Sequence, residues 1–532
     1  MAAPNAAVEL AAVATARVRA QHHAQLLPSN PMPPSTAFVV PLNTADLLLL
    51  TLLPLALLFL LLHHASPIKA LLTRAKSVLA PELSTVWKPQ PASIFVTDPE
   101  TAHSLLVRGS AGGSFSNRPP SISPSAILSR RQYQNITSAP YGEHWRAIRH
   151  NLTSEVLHPT QLHRHASARR RALHGLVVDL AEQRKNGVVH AAESIRYAMF
   201  GLVANMCFGD DIDNNRVRAM ADAQSDLVKS LSTARVFAHA KLPALTRLIY
   251  RNRWKKLAAL RQQQEQTYLP LTDSRRGRHR RPSETPVYVD TLIDLKVPDD
   301  HSQDPRRHRR RLSDGELVGM CSEFLGAGTE TTASALQWIM ANLVKRPDIQ
   351  EAVRKEINAV VGADAEEVSE VVLGKLEYLH AVIMEALRLH PPTSFAFRQV
   401  MEEDHVVHNG RRIPVGTKVY FPLAAIARDR TAWDNPDEFK PQRFLSCKDA
   451  SQGTDGTIKM MPFGGGRRMC PGRGVAMLHL SYFTANLVRE FRWREGEGEL
   501  AVDLQPHVEF FTVMKRPLRA HLELERTEIK TS

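Results

Sequence analysis

Cysteine is scarce in this sequence: its 532 residues include only Cys207, Cys321, Cys447 and Cys470. None of these forms a Cys-x-x-Cys motif or another paired spacing, so neither a disulfide framework nor a zinc site is indicated. A protein with so few thiols fits a reducing compartment, where a single reactive cysteine stays reduced.

Long linkers and internal repeats are also absent beyond residue 90. Length alone would allow about three or four domains, but no Gly/Ser-rich stretch divides this part of the chain. A hydrophobic fraction of 43% and a charged fraction of 23% suit one large globular core. We therefore expect a single domain over residues 92–532.

Acidic residues are outnumbered: the net charge is +14, and much of the basic charge falls in residues 275–281 and 306–311. Arginine clusters of this kind can neutralise nucleic-acid phosphates. However, the two runs have no interleaved aromatic residues to stack on bases, and they lie between helical patterns. We interpret them as solvated loops, with contact to anionic lipid or an acidic redox partner as the alternative, and we expect no nucleic-acid partner.

Charge is missing altogether from residues 47–62, which are nearly all leucine. This run is shorter than the roughly 20 apolar residues that span a bilayer, and extending it backward includes Asn43 and Asp46. A cleaved signal peptide has a similar apolar length, but the small-residue cleavage pattern behind this run is weak. We predict a hydrophobic signal anchor over residues 37–64 and a linker over residues 65–91.

The charges around the anchor set its predicted orientation. Lys69, Arg74 and Lys76 follow it closely, whereas Arg17 and Arg19 lie further in front. Positive charge near the downstream end favours a C-terminal domain on the cytosolic side. This predicts an enzyme of the endoplasmic reticulum membrane with a cytosolic catalytic domain.

Residues 1–36 are rich in alanine and contain one acidic residue. They fit a weak transit-like segment, a disordered extension or a misassigned start site, and all three stay open at this point. We favour the endoplasmic reticulum over plastid targeting.

One short window concentrates the chemistry: residues 461–472 read Met-Pro-Phe-Gly-Gly-Gly-Arg-Arg-Met-Cys-Pro-Gly. The glycines permit positive φ and let a planar group approach the main chain. Cys470 then lies where a helix would begin, and the exposed N–H groups there favour a thiolate. A lone thiolate behind Phe463 and Arg468 is typical of an axial ligand to heme iron. The alternative is a buried, inert cysteine beside a glycine turn.

The spacing Phe-x-x-Gly-x-Arg-x-Cys-x-Gly is filled by Phe463, Gly466, Arg468, Cys470 and Gly472. It resembles the heme-binding signature of the cytochrome P-450 superfamily, and the resemblance extends from about residue 92 to the C-terminus. It implies a mainly α-helical fold with small β-sheets (α+β), heme b bound through Cys470 as the metal ligand, and a monooxygenase reaction that uses O₂. It also implies that Phe463 packs beneath the porphyrin and that Arg468 binds a propionate.

A long helix is predicted in the second half of the chain. Ser313 and Glu316 form a capping box at its start, and the helical pattern continues to about Lys345. Gly328 in its middle costs about 1 kcal/mol relative to alanine, and Gly326 lies nearby. We therefore expect another group to press closely against this helix.

An acid and an alcohol stand side by side in that helix, within residues 327–332. Oxygen activation at heme needs protons in an apolar pocket, where a hydroxyl can hold a water and a carboxylate can resupply the proton. The superfamily pattern falls on Ala327, Gly328, Glu330 and Thr331, which implies that Glu330 and Thr331 are catalytic. The alternative is a Thr-rich patch whose hydroxyls bond back to the carbonyl four residues earlier.

Two other arginines match superfamily positions that bind heme propionates. Trp145 and Arg149 form Trp-x-x-x-Arg on one helical face, and Arg398 follows a Pro-Pro turn. Bidentate binding of carboxylates by arginine makes this role chemically sensible. An ordinary amphipathic helix would explain Trp145 equally well.

A second resemblance is structural rather than catalytic. Glu385 and Arg388 precede that Pro-Pro turn, and Arg443 lies in a Pro-x-Arg-Phe element. The resemblance implies a buried Glu–Arg network that fixes the segment carrying the cysteine loop. Loss of one partner would leave a buried charge and cost about 3–5 kcal/mol.

Short runs at residues 288–292, 375–379, 387–392 and 478–483 resemble the plant A-type microsomal group, most closely its eighty-ninth family. This implies electrons from an NADPH-cytochrome reductase, a flavoprotein, and a plant secondary or catabolic metabolite as substrate. The Pro-Pro-Gly-Pro hinge expected after the anchor is missing, which makes the segment before the first strands unusually short.

Residues 393–396 and 511–513, with one side of the long helix, are expected to line an apolar substrate pocket. A heme-thiolate isomerase or dehydratase that works without a reductase is a second hypothesis, against which Glu330 and Thr331 argue. A heme-binding protein without turnover is a third, given the altered N-terminal region.

Overall fold

The structure is a computed structural model, and it describes residues 93–109, 114–119, 135–209, 212–238, 243–277, 285–299, 308–362, 365–401, 406–408, 411–445, 458–498 and 501–525. All of these belong to one compact unit, Thr85–Ser532. The N-terminal extension, the signal anchor and the linker that the sequence predicts lie outside the described residues. Within these ranges, no helix combines the length and the apolar character that a membrane crossing needs.

Helices make up most of the described chain. They are α1 (Pro99–His103), α2 (Glu143–Asn151), α3 (Pro159–Arg164), α4 (Ala166–Arg184), α5 (Ala191–Phe208), α6 (Asn214–Ala238), α7 (Pro243–Ile249), α8 (Arg251–Asp273), α9 (Tyr288–Asp294), α10 (Asp314–Lys345), α11 (Pro347–Val361), α12 (Glu377–Leu389), α13 (Leu423–Ile426) and α14 (Arg473–Glu490). Wider π turns extend α1 and α2, at Ser104–Arg108 and Leu152–Val156. Short 3₁₀ helices occupy Glu370–Lys375, Pro441–Phe444 and Gly466–Arg468.

The strands are short and form small sheets. They are β1 (Ser93–Phe95), β2 (Val188–Val189), β3 (Lys296–Pro298), β4 (Arg309–Arg311), β5 (Phe395–Gln399), β6 (Val407–His408), β7 (Arg411–Arg412), β8 (Lys418–Pro422), β9 (Phe491–Arg494), β10 (Pro506–Val508), β11 (Thr512–Met514) and β12 (Ala520–Leu524). One sheet has the order β1-β8-β5, with β1 parallel and β5 antiparallel to β8, and a second has the order β2-β12-β9. The predicted mainly α fold with small β-sheets is confirmed.

The central element is α10, because both large hydrophobic clusters of the described chain include its residues. Its C-terminal half packs with α4, α5, α11, α12 and α14, and its N-terminal half packs with α2, α5 and α9. The capping box is confirmed: the Ser313 backbone N–H donates to Glu316 Oε2 at 2.8 Å. The predicted end at Lys345 is also confirmed.

The interpretation of the arginine-rich runs as solvated loops is wrong for several of their members. Residues 309–311 form β4, which pairs with β3. Arg310 contacts the carboxylate of Glu316 at 2.7 Å, and Arg275 contacts that of Asp290 at 3.0 Å, with the arginine side chains 18% and 7% exposed. Carboxylates 6 and 15 residues further along the chain neutralise these two arginines, which are largely removed from solvent.

Glu385, Arg388 and Arg443 form a set that we call the closed arginine group. Arg388 Nε donates to Glu385 Oε2 at 2.7 Å, and Arg443 Nε donates to Glu385 Oε1 at 3.1 Å. The side chains of Glu385 and Arg388 have no solvent exposure. Further Arg388 N–H groups donate to the carbonyls of Ala427 and Pro436. The group therefore joins α12 to the chain that leads toward the cysteine loop.

Candidate active site

The loop before Cys470 has a backbone that requires glycine at two positions. Gly464 and Gly466 have φ of 72° and 68°, in the left-handed region that other residues rarely adopt. The turn brings the Cys470 N–H to 2.9 Å from the Phe463 carbonyl. Gly472 then caps α14, which begins at the next residue. The predicted placement of Cys470 just before a helix is confirmed.

The Cys470 thiol experiences opposing electrostatic effects. Burial raises its pKa above the ordinary 9.0, while the Gly472 N–H, Arg149 and Arg118 act in the opposite direction. The N–H group at the helix start thus favours the thiolate in the predicted direction, but burial outweighs it and the nearby positive charge, so the net pKa of the thiol is raised. A coordinated metal ion would reverse this balance, since a metal-bound thiol loses its proton.

Arg468, two residues before Cys470 in the sequence, lies in a shell of backbone carbonyls. Its guanidinium donates to Ser116 O at 2.8 Å, Ala139 O at 2.7 Å and Ile136 O at 3.2 Å. Its Cζ lies 4.4 Å from the centre of the Trp145 ring. Burial, reinforced by two neighbouring arginines, lowers the pKa of Arg468 to about 9. Three carbonyls thus fix the Arg468 side chain in place, but the surrounding negative charge is too small to neutralise its positive charge fully.

Arg149 and Arg398 approach the same place from two other elements. Arg149 on α2 also lies over the Trp145 ring, with its Cζ 5.5 Å from the ring centre. Arg398 on β5 is 2% exposed and donates to Gly465 O at 2.9 Å, which ties β5 to the glycine turn. Burial lowers the pKa of both guanidinium groups. The structure therefore brings together the three arginines that the sequence singled out.

Arg118 is a fourth member that sequence reasoning missed. Its guanidinium donates to the Arg468 carbonyl at 3.3 Å, across 350 residues of chain. Its Nε is a buried donor with no acceptor among the residues that the structure describes. Burial lowers its pKa, and the Arg149 charge adds to this effect. A single arginine before a proline carries no local pattern that would have revealed this role.

We call Arg118, Arg149, Arg398 and Arg468 the open arginine group. Among the described residues, Glu323 is the carboxylate that acts on this group, through Arg118 and Arg468. Four guanidinium groups with one carboxylate leave an excess of positive charge in a poorly solvated place. A planar dicarboxylate beside Cys470 would supply the missing charge and the missing acceptor of Arg118. The two propionates of heme fit this requirement.

On α10, Ala327 is exposed and Glu330 and Thr331 are half-buried, although most neighbouring helix positions are buried. Glu330 Oε1 is enclosed and has no hydrogen-bond partner in the described ranges, and burial raises the pKa of its carboxyl. The Thr331 hydroxyl donates to the Ala327 carbonyl at 2.7 Å, as in the alternative of back-bonding. No hydrogen bond within the described ranges joins these two side chains to the cysteine loop.

The prediction that other groups press against α10 at its glycines is confirmed. A Cβ on Gly328 would lie 3.0 Å from a Val203 methyl on α5. A Cβ on Gly326 would lie 2.6 Å from the Gln224 amide nitrogen on α6. Both glycines therefore allow contact between helices.

The segments expected to line a pocket also meet at α10. Ser394 and Thr512 hydroxyls are 3.1 Å apart, and Ser334 on α10 donates to the Thr512 carbonyl at 3.0 Å. Phe511 and Phe510 lie edge to face, with ring centres 4.9 Å apart. Residues 393–396 and 511–513 are half-exposed, so they provide one partly apolar wall.

Comparison with known proteins decides the family. The profile described as Cytochrome P450 matches residues 49–522. The chain belongs to the cytochrome P450 family. Cytochrome P450 89A9 of Arabidopsis thaliana is 40% identical over 444 residues, which are 81% of this chain and 84% of that protein. Tabersonine 6,7-epoxidase isoform 1 of Catharanthus roseus is 30% identical over 394 residues, which are 72% of this chain and 73% of that protein.

A zebrafish cytochrome P450 structure with progesterone shares the fold, with a TM-score of 0.66 and 19% identity over 84% of this chain and 99% of that chain. The predicted resemblance to plant cytochromes P450 and to their eighty-ninth family is confirmed. As a cytochrome P450, the protein is an oxidoreductase that incorporates oxygen from O₂ into a small molecule, and its cofactor is heme b.

Proposed function

We propose that this cytochrome P450 is a heme-thiolate monooxygenase in which the Cys470 thiolate would hold the heme iron. The observation that carries the proposal is the position of Cys470, at the start of α14 and beside the open arginine group. Bound heme would supply the iron at which O₂ is reduced, with electrons from NADPH through a flavoprotein reductase. Phe463, Gly466 and Gly472 shape the loop around the ligand.

The open arginine group would bind the two propionates. Trp145 orders two of its members, because Arg149 and Arg468 both lie over its ring. Arg398 is fixed by Gly465 of the cysteine loop, so the propionate contact and the ligand loop move together. Carboxylate binding would offset the burial and the mutual repulsion that lower the pKa values of Arg398 and Arg468.

Glu330 and Thr331 would handle protons on the oxygen side. Burial keeps the Glu330 carboxyl protonated to a higher pH than a surface glutamate, which suits a proton donor. The Thr331 hydroxyl already donates to Ala327, so its free lone pairs can accept a hydrogen bond from a water. Glu330 would resupply the proton that such a water passes on.

The substrate would be an apolar organic molecule small enough for the wall formed by residues 393–396 and 511–513. Alanine, valine and phenylalanine side chains there would exclude water, while Ser394 and Thr512 satisfy each other. The Catharanthus roseus relative is named for the epoxidation of tabersonine, and a plant secondary or catabolic metabolite would suit the present site in the same way.

The cellular setting is proposed from the sequence. Residues 37–64 would anchor the protein in the endoplasmic reticulum membrane with its catalytic domain in the cytosol, where an NADPH-cytochrome reductase could reach it. Dependence of turnover on NADPH and reductase would separate this function from an isomerase or dehydratase.

The decisive experiment is Cys470→Ser in heme-loaded protein, followed by CO binding after reduction. Wild-type protein should give the Soret band of a thiolate complex, and the variant should lose this band together with product formation. Cys321→Ser, which changes another buried thiol, is the matched control and should keep both. A histidine-type band in the wild-type protein, or full activity of the Cys470 variant, would refute the proposed ligand.

A further inference from the structure

Glu323 on α10 has a role that the proposed chemistry does not use. Its Oε2 accepts the backbone N–H of Ile136 at 2.9 Å, and its Oε1 accepts that of Thr137 at 2.7 Å. Both oxygens of one carboxylate thus hold two successive N–H groups of a segment 187 residues earlier in the chain. Hydrogen bonds to a charged acceptor are about twice as strong as neutral ones.

The segment concerned, residues 135–141, has carbonyls that accept hydrogen bonds from arginine and tryptophan side chains. Ile136 O accepts from Trp145 Nε1 at 3.0 Å and from Arg468 at 3.2 Å. Ala139 O accepts from Arg468 at 2.7 Å. We call residues 135–141 the bridging segment, because its N–H groups face an anion on α10 and its carbonyls face a cation of the cysteine loop.

Other contacts leave the bridging segment little freedom. The Ser138 N–H donates to Asn135 Oδ1 at 3.0 Å, and the Tyr141 N–H donates to Asn117 Oδ1 at 2.8 Å. The Thr137 carbonyl accepts from Arg118 at 3.4 Å. Of all these contacts, the Glu323 pair is the one that fixes the segment to α10.

We propose that Glu323 is a positioning residue for the cofactor: it sets the bridging segment, which in turn orients Arg468 and Trp145 toward a propionate. This inference rests on the proposed heme site. Glu323 also places one negative charge next to Arg118, which limits the repulsion within the open arginine group. Displacement of the carboxylate would therefore loosen two members of the group together.

The test compares Glu323→Gln with Glu316→Gln in heme-loaded protein. Glutamine keeps the length of the side chain but replaces one oxygen by an NH₂ group, so one backbone N–H loses its acceptor. Glu316 is the matched control because it lies on the same helix and also accepts a backbone N–H and an arginine. The measurements are the rate of heme transfer to excess apomyoglobin, amide exchange of the bridging segment and the midpoint of thermal unfolding.

We expect Glu323→Gln to release heme about tenfold faster or more, as the loss of one charged hydrogen bond implies. Exchange at the Ile136 and Thr137 amides should rise with it. Glu316→Gln should lower the unfolding midpoint without either change. Glu323→Asp retains the charge and both oxygens, so it should recover part of the protection.

Wild-type rates in Glu323→Gln, or equal acceleration in both glutamine variants, would overturn the proposal. Where Glu323→Gln yields no folded holoprotein, Glu323→Asp is compared with Glu316→Asp instead. The rate of heme transfer and the amide exchange of the bridging segment then decide. Failure of the proposed heme ligation would be seen separately, as a missing thiolate band in the wild-type protein, while the exchange measurement still reports the Glu323 contact.

Discussion

Two groups of buried arginines differ in how their charge is neutralised. In the closed arginine group, Glu385 contacts both Arg388 and Arg443, and carbonyls take up further donors. In the open arginine group, Glu323 acts on Arg118 and Arg468, and the Arg118 Nε has no acceptor within the described part of the chain. The first arrangement is complete within the protein and serves the fold. We propose that the propionates of heme complete the second, so that its excess positive charge serves cofactor binding.

The largest expected effect comes from breaking the closed group. Glu385→Gln leaves two buried arginines without their carboxylate, which should destabilise the protein by about 3–5 kcal/mol. The midpoint of thermal unfolding and the yield of folded protein measure this loss. Glu377→Gln, an exposed change on the same helix, should have little effect. If both variants are equally stable, the closed group is not a structural necessity.

Removal of one arginine from the open arginine group should not destabilise the cofactor-free protein and should even stabilise it, the opposite of the effect in the closed group. Burial lowers the pKa of Arg149, so its charged form disfavours folding at neutral pH as long as no anion is bound. Arg149→Gln should therefore leave the cofactor-free protein as stable as the wild type or more stable. It should nevertheless release heme about tenfold to hundredfold faster, as expected for a lost charged hydrogen bond.

Arg146→Gln is the control for this comparison, because Arg146 lies on the same helix, is exposed and contacts the Tyr141 ring. Its heme release should match the wild type. Destabilised apoprotein combined with unchanged release in Arg149→Gln would show that both arginine groups are structural.

A third variant leaves both arginine groups intact. Thr331→Ala removes a hydroxyl whose hydrogen bond contributes about 0.5–1.5 kcal/mol, so product formed per NADPH consumed should fall by up to about tenfold. Heme release should stay unchanged, and Thr331→Ser should restore coupling. Unchanged coupling in the alanine variant would mean that back-bonding to Ala327 is the only role of this hydroxyl.

The smallest effect expected is a pH dependence from Glu330. Burial raises its pKa above 4.5, so the proton-donating form persists to higher pH and is lost as the pH rises through the raised value. Coupling should fall across that step, and the stability contributed by the protonated carboxyl should be lost in the same direction. Glu330→Gln should flatten the coupling profile, whereas Glu330→Asp should shift it. A profile identical to the wild type in Glu330→Gln would exclude this residue as the donor.

Local patterns explain what the sequence could predict. The glycine turn, Cys470 and the capping box at Ser313 lie within short windows whose backbone requirements are legible in the residues themselves. The roles of Arg118 and Glu323 depend on contacts across 350 and 187 residues, which no local spacing reveals. The arginine-rich runs were misread for another reason: their partners Asp290 and Glu316 are near in sequence, but neither pair has a regular helical spacing, so the contacts became apparent only in the fold.

The two glycines of α10 have a consequence for how finely the helix is located along its own axis. If α10 moved along its axis by one residue, about 1.5 Å, a side chain would replace Gly326 or Gly328 at these contacts. That side chain would clash with the Gln224 amide or the Val203 methyl. The neighbouring helices α5 and α6 therefore permit only one position of α10 along its axis. Because Gly326 and Gly328 have no side chain, they fix the axial position of α10. They thereby also fix the positions of the groups on this helix, from the Ser313 cap to Glu330.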